Sequence, residues 1–128
     1  MAVRKLDRDA MCPFLLRVFW KQGEPVTLES VRHRMEDQQP DEVRLYTWLD
    51  ATLGEVTQML KEELPGARRR DAEFDLSFIR HNLEGGLELK PLGAISAARP
   101  SDLDAVTLSS LRFIIGDCLA VTLRHKLK

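Results

Sequence analysis

The stretch that most restricts the fold is a helix whose two ends are both written in the sequence. Thr52-Leu53-Gly54-Glu55 has the form of a capping box. In it the Thr hydroxyl and the Glu carboxylate each satisfy a backbone N–H left free at the first turn. Leu53, Val56, Leu60 and Leu64 then fall at helical spacing, and Pro65-Gly66 ends the run. Gly54 costs such a helix up to ~1 kcal/mol relative to Ala, which a buried face offsets. One apolar stripe on one helix needs a flat apolar surface to lie on.

The other apolar residues supply that surface. Phe14-Leu15-Leu16-Arg17-Val18-Phe19-Trp20 is apolar at nearly every position and rich in aromatic and β-branched side chains. That content favours a strand covered on both faces. Lys21 to Pro25 breaks it. Leu28, Val31 and Met35, with Thr27 as N-cap, point to a short helix closed by Pro40. Val43 to Trp48 reads as a second strand, with Val43 and Leu45 on one face and Arg44, Tyr46 and Trp48 on the other. Phe74, Leu76 and Phe78 alternate with Asp75 and Ser77, which predicts a third. Asn82 to Gly86 is turn-like, and Leu87-Glu88-Leu89 reads as a short strand. Residues 93–110 are small and polar and read as a long irregular connection. After the Gly116-Asp117 turn, Leu119, Val121 and Leu123 alternate in a last strand.

Strands flanking one striped helix make an α+β domain, with the helix across one sheet face. The order is that of the ubiquitin-like β-grasp: a mixed sheet, one main helix, and the first and last strands parallel neighbours at the centre. The two most apolar strands, 14–20 and 118–124, suit that position. Residues 1–11 read as a flexible charged arm, and 12–128 as a single domain of this kind.

Charge and residue inventory exclude several functions. Lys and Arg total 19 against 20 Asp and Glu, leaving a formal charge of −1 and no general field for a phosphate backbone. Direct nucleic-acid binding is therefore not expected. Arg68-Arg69-Arg70, the one dense basic run, reads as a solvated helix end that favours the C-terminal dipole, with an acidic partner left open. Cys12 and Cys118 make no disulfide framework, and no His or Cys has metal-ligand spacing. Cys12 beside Pro13 reads as a small hydrophobe rather than as a nucleophile served by His33 or His125. His81 reads as solvated. No apolar run approaches the ~20 residues of a membrane span, and residues 1–11 lack the apolar core of a signal peptide. The end, Leu123 to Lys128, has no Gly-Gly for conjugation. The expectation is a soluble, intracellular, non-catalytic domain without cofactor or metal.

Several strings carry a resemblance. They are Cys12-Pro13-Phe14-Leu15-Leu16-Arg17-Val18-Phe19, His33-Arg34-Met35 and Tyr46-Thr47-Trp48-Leu49-Asp50-Ala51-Thr52-Leu53, followed by Pro65-Gly66-Ala67-Arg68-Arg69, Thr107-Leu108 and Phe113-Ile114-Ile115-Gly116-Asp117. With gaps from about Cys12 to Leu123, the chain resembles the eighteen-kilodalton SIN-three-associated polypeptide family. The resemblance implies a ubiquitin-like fold, no enzymatic activity and a nuclear location, with a cytoplasmic pool left open. The implied partners are SIN-three and histone deacetylase subunits, an Acinus-type peptide motif, and an RNA-binding protein with a serine-rich domain. The last two belong to the apoptosis- and splicing-associated complex that accompanies the exon junction complex. Between Ile79 and Ala98 the chain is shorter than the family and carries Arg80-His81-Asn82-Leu83-Glu84-Gly85-Gly86 where the family has Lys-Arg-Pro-Gly-Tyr. It also stops at Lys128 without the family's Pro-rich tail.

The residues themselves point to one face. If Leu16, Val18, Val43, Leu45, Leu119 and Val121 meet the helix, alternation sends Leu15, Arg17, Phe19, Arg44, Tyr46 and Trp48 to the other side. Arginine among aromatics is the composition of interface hot spots. With Arg68 and Arg69, these eight residues form the expected partner-binding set. The competing expectation is that residues 21–41 or 93–110 fold over this face as a second small core, and a partly covered face with an open margin lies between the two. The functional expectation is an adaptor binding short segments by a sheet face or edge. The alternatives are a ubiquitin-like regulatory module of an unrelated complex and a small RNA-binding protein.

Overall fold

The structure is a computed structural model that describes residues 12–32 and 42–125. The arm expected at residues 1–11, and Met35 and Pro40 of the short helix, lie outside the described residues. Five strands form the sheet: β1 (Phe14–Gln22), β2 (Glu42–Thr47), β3 (Ala72–His81), β4 (Leu87–Ser96) and β5 (Cys118–His125). The helices are α1 (Leu28–Arg32) and α2 (Leu53–Glu63), with short 3-10 turns at Asp102–Ala105 and Ser109–Leu111. Spatial order is β2-β1-β5-β3-β4. β1 and β5 run parallel at the centre, and every other neighbour is antiparallel. With one main helix across a face, this is an α+β fold of the ubiquitin-like kind.

The capping box forms as the sequence predicts. The Glu55 N–H donates to Thr52 Oγ1 at 3.1 Å, and the Thr52 N–H donates to Glu55 Oε1 at 3.4 Å. At the far end the Leu64 N–H reaches the Leu60 carbonyl at 2.9 Å before Pro65 stops the chain. Leu53, Val56, Leu60 and Leu64 are buried against Leu16, Val18, Leu45, Phe74, Phe78, Leu119, Val121 and Leu123 from the sheet. A fully buried leucine or phenylalanine contributes ~1.5–3 kcal/mol, so this layer dominates stability.

Two readings of the sequence need correction. β4 is not a three-residue strand followed by irregular chain, because pairing continues to Ser96. The register shifts where Leu76 faces Gly93 and Ser77 faces Pro91, leaving Leu92 as the extra residue of a bulge. Pro91 is tolerated because β4 is an edge strand, and the bulge erases the alternation by which a strand is recognised. The second correction concerns Phe19, counted among the outward partner-binding residues. It is wholly buried in a second core on the sheet's other face, with Val26, Val31, Ile79, Cys118 and Ala120. The segment carrying Val26 and α1 lies over that end of the sheet. At the other end of the face Tyr46 keeps 60 % of its surface exposed.

Candidate partner-binding surface

Alternation along β1 and β2 builds the Tyr46 end of the face in rows. Leu15 stands opposite Tyr46, Arg17 opposite Arg44, and Phe19 opposite Glu42. Two arginines directly across a strand pair repel. Glu42 removes the conflict. Arg17 donates to it twice, Nε to Oε2 at 2.9 Å and Nη2 to Oε1 at 2.8 Å, and Arg44 Nε donates to Oε2 at 3.0 Å. The Glu42 side chain has no exposed surface, while Arg17 keeps 21 % and Arg44 43 %. Hydrogen bonding from Arg17 holds the Glu42 carboxyl below the usual glutamate range against the opposing effect of burial, and Arg44 adds to the lowering. The same bond raises Arg17. The Arg17 guanidinium also lies 5.1 Å over the Phe19 ring, a cation–π contact that joins this surface to the second core. Beside them burial pushes the Cys118 thiol up to about 11, which leaves it an inert core side chain.

The expected residues thus divide into groups. Leu15, Arg17, Arg44 and Tyr46 share one surface, with Tyr46 60 % exposed on the edge strand. Phe19 belongs to the core beneath. Trp48 lies just past β2, half-buried, its carbonyl accepting the Ala51 N–H at 3.0 Å, so it flanks the row rather than extending it. Arg68 and Arg69 sit on the turn between α2 and β3, engaged with the chain's own acids. Arg68 bonds Glu62, and Arg69 grips Asp71 through Nε and Nη2, each at 3.0 Å.

Sequence reasoning missed Glu42, because an acid at a strand start carries no signal until its neighbours across the pair are known. It also passed over the exposure of Ile114 and Ile115. Their loop is braced from inside. Arg80 donates from Nε to Asp117 Oδ2 at 3.1 Å and from Nη2 to the Leu111 and Arg112 carbonyls at 3.0 and 2.9 Å. The Phe113 ring stands 5.4 Å from Phe14 and 5.3 Å from Phe78. With Phe113 anchored inward, the two isoleucines that follow are held outward.

Among the described residues no group of three or more His, Cys, Asp or Glu is placed to hold a metal ion. No described helix is long and apolar enough to cross a membrane. The fold and this surface are those of a ubiquitin-like β-grasp domain whose outermost strand, among the described residues, carries charge. Comparison with known proteins is specific: the chain belongs to the Sin3 associated polypeptide p18 family, which it matches over residues 5–123. It is 42 % identical over 120 residues to "Histone deacetylase complex subunit SAP18" of Arabidopsis thaliana, covering 92 % of this chain and 78 % of that protein. Identity to the Homo sapiens protein of the same name is 33 % over 126 residues, covering 94 % and 78 %. For the Drosophila melanogaster one it is 32 % over 123 residues, covering 94 % and 80 %.

Proposed function

We propose that this chain is a non-catalytic adaptor subunit of nuclear histone deacetylase complexes, joining other subunits through protein–protein contacts. The observation that carries the reading is the family match over residues 5–123, with relatives named as histone deacetylase complex subunits. The surface supports it: a charged sheet edge with an exposed aromatic suits a peptide partner. In the fuller form the chain links the SIN-three corepressor to the Acinus-containing, splicing- and exon-junction-associated complex. An Acinus-type peptide motif then meets Leu15, Arg17, Arg44 and Tyr46 with Trp48 at the flank, and Arg68 and Arg69 offer a second contact.

Purification of the tagged chain from nuclear extract, with mass spectrometry and a deacetylase assay on the eluate, tests this. Deacetylase activity with the SIN-three scaffold is expected, and Acinus with the serine-rich RNA-binding protein in a separable pool. Reproducible recovery of unrelated complexes without deacetylase would overturn it in favour of a regulatory module. Salt-dependent RNA binding by the isolated chain would favour an RNA-binding protein instead.

A further inference from the structure

β2 is the outermost strand of the sheet among the described residues, so every second backbone N–H and C=O on it faces away from β1. Its two exposed side chains, Arg44 and Tyr46, stand two residues apart on one face, about 7 Å at the usual rise per strand residue. A strand added to this edge repeats its own side chains at the same spacing. Two of them therefore land beside Arg44 and Tyr46.

The chemistry of these positions differs. Arg44 is committed through Nε to Glu42, and among the described residues nothing meets its two Nη groups. Both Glu42 oxygens are already engaged, so the Nη groups of Arg44, on a side chain 43 % exposed, are the cationic donors this strand edge presents. The Nε bond fixes how the guanidinium is turned, which lowers the entropy lost when a carboxylate binds. Tyr46 offers a ring, 60 % exposed, backed by half-buried Leu15 across the pair. At the other end of β2 the row closes, because Glu42 and Phe19 are buried.

From this charge complementarity we infer that the β2 edge selects an extended segment of a partner protein carrying an apolar side chain followed two residues later by Asp or Glu. The order follows from direction. Antiparallel pairing is the more stable, and an antiparallel partner meets Tyr46 before Arg44. This inference rests on the proposal that the outer face of β2 is where partners dock, and it adds the sequence rule they obey.

The test is selection of a phage-displayed library of random ten-residue segments on the full chain, in wild-type form and as Arg44→Gln. Arg44→Gln keeps a polar side chain on a partly exposed position, and a melt confirms that the fold is unchanged. The wild type is expected to enrich an apolar residue with an acid at the second position after it. Titration of the best peptide should show about tenfold or greater loss on Arg44→Gln, or when its acid becomes Lys, as for a hydrogen bond to a charged group. Segments that bind the β2 edge without preferring an acid would overturn the rule and leave the docking site standing. Enrichment unaffected by Arg44→Gln and Tyr46→Ser, or no enrichment, would overturn both the rule and the use of this edge. Co-purification of deacetylase subunits would still be judged separately.

Discussion

A Cβ placed on Gly54 would stand 2.9 Å from the carbonyl oxygen of Asp104, so α2 and the 3-10 turn Asp102–Ala105 meet backbone to side-chain-free backbone. The glycine that looked like a weakness of the helix is the point where the long connection before β5 lies down on it. The Leu53 N–H bonds the Val106 carbonyl at 2.9 Å beside this contact.

Gly54→Ala should accordingly destabilise the chain, although Ala is the better helix former by ~1 kcal/mol. Overpacking against a backbone carbonyl costs ~1–3 kcal/mol, because no side chain can rotate out of the way. Urea unfolding decides the sign. A raised midpoint at unchanged slope would mean that the 3-10 turn yields freely.

Leu60→Ala tests the main core. Leu60 is buried mid-stripe between α2 and the sheet, and its truncation should cost ~2–5 kcal/mol. A loss under ~0.5 kcal/mol in the melt would mean that the stripe is not what holds α2 down.

The capping box, the stripe and the apolar central strands were legible because each is a short-range pattern with one physical solution. β4 was legible only over Leu87–Leu89, because Pro91 and the bulge at Leu92 interrupt the alternation by which the rest of the strand would show itself. The divided fate of the outer face was half legible. Strand alternation placed Phe19 and Tyr46 on one side, yet only the path of Val26 and α1 decides that the first is core and the second is surface. Glu42 lay beyond reach for the same reason, since its role depends on Arg17, a strand pairing away.

Glu42 predicts a pH dependence. Its folded-state pKa lies below the ordinary value of ~4.3, chiefly through the Arg17 hydrogen bonds. A carboxylate of this kind stabilises the fold fully above the unfolded value, and that contribution disappears as pH falls through the folded one. Wild type should exceed Glu42→Gln by ~1–3 kcal/mol at neutral pH, the usual worth of charged hydrogen bonds. Urea unfolding of both proteins from pH 7 to pH 3 should show the gap holding down to about pH 4 and closing below it. A gap that does not change with pH would mean that the carboxylate's charge is not what stabilises the pair.

Phe19 and Tyr46 separate folding from binding on the same face. Phe19→Ala removes a wholly buried ring that Arg17 stacks on, and should cost ~3–5 kcal/mol of stability. Tyr46→Ala removes a ring that is mostly in solvent, so the melt should move by no more than ~0.5 kcal/mol. Its loss should instead weaken an Acinus-type peptide by about 30-fold, the ~2 kcal/mol of an aromatic hot spot. Trp48, half-buried at the flank, should move both quantities when changed to Ala. Calorimetric titration beside a thermal melt reads each variant twice. If Tyr46→Ala leaves the affinity unchanged while Trp48→Ala alone lowers it, the partner docks on the turn after β2 and not along its edge.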